Sequence, residues 1–172
     1  MLPKTLIYAV IVLSGGLLGA VWTRSFRKRE LFLSLFAQKL HLLAASLRYD
    51  ARPGQEMFAD LAKDGDETAR FFAAVAEEME KGLSLEDAWQ KSASQNGRKL
   101  LPAMQASDLA LISRLSHIWL LQDARALGTA LEQQAEQLIR RGTQAGEKAV
   151  RYGRIGTTCG LLAGCLLVLL LL

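Results

Sequence analysis

The sequence predicts an all-α protein, a helical bundle held to a membrane by one transmembrane helix at each end. Residues 5–23 and 155–172 carry no charged side chain, and every charged residue except Lys4 lies between them. Apolar residues in that intervening region recur at steps of three and four, the helical period, and no stretch makes a convincing strand.

At ~1.5 Å rise per residue, the 19 residues of the first uncharged stretch reach about 28 Å. The 18 of the second reach about 27 Å, close to a hydrocarbon core of roughly 30 Å. Orientation follows from the flanking cations, which resist translocation. Only Lys4 precedes the first stretch, whereas Arg24, Arg27, Lys28 and Arg29 follow it. Arg140, Arg141, Lys148, Arg151 and Arg154 precede the second. Both ends therefore predict a cytoplasmic domain over residues 24–154, with Trp22 and Tyr152 at the inner headgroup boundary. A cleaved signal peptide fits poorly, because the basic cluster is on the wrong side and Leu18-Gly19-Ala20 is a weak cleavage site.

No glycine or proline stands between Gly19 and Pro53, and Phe32, Phe36, Leu40, Leu43 and Leu47 form one stripe. The first helix is therefore expected to continue to Tyr49, followed by a turn at Arg52-Pro53-Gly54-Gln55. A short helix with Met57, Phe58, Leu61 and Ala62 inward should end at Lys63-Asp64-Gly65-Asp66, read as a solvated turn that starts the next helix. That helix has Phe72, Val75, Met79 and Leu83 on its apolar face and Glu77, Glu78, Glu80 and Lys81 on its wet one. Gly82 suits the left-handed residue after a helix end, and Ser84 opens a helix that buries Leu85, Ala88 and Trp89. After a break near Asn96-Gly97, another helix is expected to carry Met104, Leu111, Leu115 and Ile118 on one seam, with Trp119 adjoining. Asp123 is expected to cap a last long helix running straight into the membrane.

The region 24–154 holds 131 residues, enough for one domain with its own core. It carries 20 basic and 17 acidic residues, the cations gathered near the membrane, so nucleic-acid binding is not indicated. Cys159 and Cys165 fall on different faces of the final helix and His41 and His117 stand far apart, which predicts neither a disulfide nor a metal site. Asp64-Gly65-Asp66-Glu67 lacks the further ligands of a calcium loop. No phosphate loop, nucleophile elbow or catalytic dyad is present, and neither an enzyme nor a cofactor is expected.

Gly15 with Gly19, and Gly156 with Gly160 and Gly164, form GxxxG units, which let helices approach closely in lipid. Their partner, whether the other anchor, a second copy or another protein, is left open. Gly142 and Gly146 inside the last helix suit close packing better than a hinge. Glu77, Glu78, Glu80, Glu86 and Asp87 span two consecutive helices and are the candidate docking surface.

The order and spacing of several short motifs carry a resemblance. They are Leu47-Arg48-Tyr49 before the turn at Arg52, Leu85-Glu86-Asp87-Ala88-Trp89, Asp123 opening the last helix, and the tail beginning Tyr152-Gly153-Arg154-Ile155-Gly156. With the overall length and a membrane helix at each end, they resemble the stage III sporulation protein AB family of endospore-forming bacteria, one-domain relatives of the type II secretion F-protein platform. Ser116, Leu120 and Leu127 depart from that pattern, standing where relatives often have glycines and a glutamine. The resemblance implies an F-domain-like bundle without catalysis, in a channel between mother cell and forespore, placed in the mother-cell membrane. It further implies an oligomer that meets a secretion-type ATPase, stage III sporulation protein AA, whose motion the continuous helices would carry across the bilayer. A two-anchor sensor is the other reading, although such receptors normally present the intervening domain outside the cell.

Overall fold

The apolar stripe beginning at Phe32 does run as helix in the computed structural model. The structure describes the backbone of residues 2–49, 54–121 and 123–171, and the side chains of residues 24–47, 54–121, 123–151, 158 and 162. The helices are α1 (Leu2–Tyr49), α2 (Gly54–Ala62), α3 (Ala69–Glu80), α4 (Leu85–Ser94), α5 (Gly97–Leu100), α6 (Ala106–Arg114), a 3₁₀ helix (Leu115–Leu120) and α7 (Ala124–Leu171). No strand occurs among the described residues.

The chain divides into two compact units, one of Met1–Glu30 with Thr143–Leu172 and one of Leu31–Gly142. In the second unit, α1 buries Phe32, Leu33, Phe36, Leu40 and Leu43 against α2–α6, and α7 closes the same core with Leu127, Leu131, Ala135 and Leu138. Its centre is aromatic. Trp89 stands edge-on to Phe71 at 4.9 Å between ring centroids, while Phe36 lies 5.2 Å from Phe72 and Phe58 lies 5.6 Å from Trp119. Such tilted pairs add to burial because ring edges and faces carry opposite partial charge. Trp89 Nε1 donates to the carbonyl of Ile112 at 2.7 Å, which satisfies the one polar atom of the largest core side chain.

In the first unit, Gly146 is buried, and a Cβ added there would stand 2.5 Å from the Glu30 carboxylate. α7 continues unbroken through it, so Gly146 serves close packing and not a hinge.

Among the described residues, one stretch, Arg24–Leu47, is long and apolar enough to cross a membrane. Its Phe32, Phe36 and Leu40 lie in the protein core, which accounts for the apolarity of that side. The surroundings of residues 5–23, and of all but Thr158 and Leu162 in 155–172, are outside the described residues, Cys159 and Cys165 included.

The structure departs from expectation in three places. Gln55 belongs to the first turn of α2 and not to a loop, residues 50–53 lying outside the described set. The seam from Met104 to Ile118 is not one helix. Met104 precedes α6, which starts after Pro102 with Gln105 as N-cap, and from Leu115 the backbone tightens into 3₁₀ geometry. Asp108 fixes that start, since its carboxylate accepts the Gln105 N–H at 3.1 Å. The turn at Asp64–Glu67 is not merely solvated, because it receives the ammonium of a buried lysine.

Candidate docking surface and a buried lysine

The corner between α3 and α4 is set by local chemistry. Gly82 adopts φ +90, and the Leu83 N–H returns to the Glu78 carbonyl at 3.3 Å while the Gly82 N–H returns to Met79 at 2.9 Å. This pair of bonds is a Schellman ending, which needs a residue tolerant of positive φ. Ser84 then opens α4: its Oγ accepts the Asp87 N–H at 3.1 Å and donates to Asp87 Oδ2 at 2.7 Å.

The corner presents the five acidic residues singled out from the sequence in different states. Glu77 is exposed and 2.8 Å from Lys81, and Glu80 is exposed. Glu78 is only 14% exposed and is gripped by Lys91 of α4 and by Lys81, so it ties the two helices together. Lys91 holds the Glu78 carboxyl below the usual carboxylate range, burial opposes this, and Lys81 adds to the lowering. Glu86 reaches His117 of the 3₁₀ helix at 3.3 Å, and Asp87 is engaged with Ser84. Glu77, Glu80 and Asp87 are thus the acids that face solvent without joining one element to the next, and of these Asp87 is held in the cap of its own helix.

The sequence reading missed Lys39. It lies on the inner face of α1, 2% exposed, with Nζ donating to the Leu61 carbonyl at 2.6 Å and standing 3.0 Å from both Asp64 Oδ2 and Asp66 Oδ2. The ammonium also sits 5.7 Å from the centre of the Phe72 ring. Asp66 does double service, since its other oxygen accepts the Thr68 hydroxyl at 2.6 Å and the Thr68 and Ala69 N–H groups at 2.8 Å, opening α3. Burial raises the Asp66 carboxyl, but the hydrogen bonds from Thr68, Lys39 and Ala69 and the Lys39 charge outweigh it and leave it below the ordinary value. A signal was present, because Lys39 falls three residues after Phe36 and seven after Phe32, in phase with the buried stripe.

A second buried charge, Asp108, is fully enclosed in α6 and lies 3.3 Å from Arg141 Nη1 of α7. Among the described residues no cluster of three metal-ligating side chains occurs.

Of the expected membrane-boundary residues, Arg24, Arg27, Lys28 and Arg151 are exposed and Arg29 is half-buried. The side chains of Trp22, Tyr152 and Arg154, and the surroundings of Gly15, Gly19, Gly156, Gly160 and Gly164, lie outside the described residues.

No curated protein and no solved structure matched the chain. The family model for stage III sporulation protein AB matches residues 4–172. A match over nearly the whole length covers both end segments and the helical unit between them. The chain belongs to the stage III sporulation protein AB family, and its role is in sporulation.

Proposed function

We propose that this protein is a non-enzymatic platform component of a secretion-like channel across the envelope in endospore formation, and that it couples a cytoplasmic secretion-type ATPase to the membrane assembly. The family match over residues 4–172 carries this reading. Residues 5–23 and 155–172 serve as the two membrane spans and residues 24–154 as the cytoplasmic domain, in the mother-cell membrane around the forespore. The cation bias at both ends supports that orientation.

The α3–α4 corner is the ATPase docking surface in this proposal. Its exposed carboxylates suit a basic partner face, and the rigid Schellman turn holds them on a well-packed core. Motion received there passes along α1 and α7 into the membrane assembly.

The test uses the full-length protein in lipid nanodiscs and the ATPase from the same organism. Glu77→Lys with Glu80→Lys should weaken binding about tenfold or more, read by calorimetry, because each reversal turns attraction into repulsion. Glu78 is left intact, since its reversal would loosen α3 from α4. Wild-type binding unaffected by the reversals would reject this docking surface, and no binding by the reconstituted protein would reject the coupling role.

A further inference from the structure

The outer face of α1 in the Leu31–Gly142 unit is left exposed by the described residues, although its composition suits a partner. Leu31 is 62% exposed and Leu42 is 54% exposed. With half-buried Leu35 and exposed Gln38 and Ala45 they form a stripe at steps of four, three, four and three. From Leu31 to Leu47 the sole charged residue is Lys39, which flanks the stripe but is buried, its ammonium turned inward onto Leu61, Asp64 and Asp66. Other exposed helix faces differ. α3 presents Glu77 and Glu80, and α7 presents Arg125, Glu136 and Arg140. A helix that is apolar on its inner side and uncharged on its outer side is built to be covered on both.

We infer that a second copy of the chain covers this face, in a parallel, in-register pairing of α1 with α1 about a two-fold axis. The alternating steps of four and three are the spacing at which two helices keep one seam in contact. In such a pair each residue meets its own counterpart, so any charge on the stripe would face a like charge. The stripe carries none. Gln38 lies at its middle, and an amide both donates and accepts, so two copies satisfy each other across the axis. A polar side chain at one seam position also fixes register and favours a single oligomeric state. Lipid is a poorer cover, because hydrocarbon leaves the Gln38 amide unsatisfied. The parallel direction rests on the two-pass reading, which brings both copies of α1 into the same membrane; the pairing itself does not.

Cysteine cross-linking of the full chain in native membranes tests this. With Cys159 and Cys165 changed to Ser, Leu31→Cys, Gln38→Cys and Leu42→Cys should each give an oxidised dimer, whereas Gln133→Cys on α7 should not. Adding Leu42→Lys to the Gln38→Cys chain should cut the dimer about tenfold with helix content and melting temperature unchanged. Dimer at Gln38→Cys alone, with Leu31→Cys joining only Ala45→Cys, would overturn the parallel seam and count against the two-pass topology. No dimer at any of the three positions would overturn the pairing, whatever the outcome of the ATPase experiment.

Discussion

Lys39 is where one side chain decides most. A buried ammonium is tolerable only when hydrogen-bonded and paired, and Leu61, Asp64 and Asp66 together do this. Asp66→Asn should therefore destabilise the protein by about 2 kcal/mol at neutral pH, since the charge is lost while the amide oxygen can still accept from Thr68 and Ala69. Folding depresses this carboxyl, so its contribution is present above the ordinary value of 3.8 and is lost as pH falls through the lower native value. Urea denaturation over a pH series should show wild type and Asp66→Asn differing by a constant amount near neutrality and converging below pH 3.8. A difference that persists undiminished in acid would show that the charge is not the source.

At the level of elements, the α3–α4 corner was readable because its determinants are contiguous. Gly82 ends one helix and Ser84 begins the next through bonds that span five residues or fewer. Ser84→Ala should cost about 1 kcal/mol through loss of the cap, and Gly82→Ala about 1–2 kcal/mol because φ +90 places a Cβ against its own backbone. Both are measurable as lowered denaturation midpoints, and a neutral Gly82→Ala would mean that the corner relaxes. The segment from Met104 to Ile118 was misread for a corresponding reason. Apolar spacing reports which face is buried but not whether the backbone bonds reach back four residues or three, and α6 passes into 3₁₀ geometry at Leu115 without disturbing that spacing. Lys39 eluded the reading because its carboxylate partners lie 25 and 27 residues away in sequence, a distance over which local pattern is silent.

For the whole molecule, the test of orientation needs a site that perturbs no contact of the fold. The turn at residues 63–67 is unsuitable for an inserted reporter, since Asp64 and Asp66 hold Lys39 there. Glu80 is exposed, and a single cysteine in its place should react with a membrane-impermeant maleimide in inverted vesicles and not in intact cells. The reverse pattern would put the helical domain outside and bring the sensor reading forward. The all-helical architecture and core-facing residues of α1, α3 and α4 such as Phe36, Phe72 and Trp89 were legible from periodicity, whereas the ties of Glu78 to Lys91 and of Glu86 to His117 depend on residues that only folding brings near.

The joining of Phe32 and Phe36 with Leu131 and Leu138 in one core bears on synthesis. The helices between can settle on one another as they emerge, but the closing contact joins residues roughly a hundred positions apart, and such contacts form late. Until α7 has left the ribosome, α1 shows oily residues both where its core will be and along its uncharged stripe. The nascent chain is then at its most prone to stick to other chains, so prematurely ended products should be caught by chaperones or proteases and should not accumulate as small soluble domains.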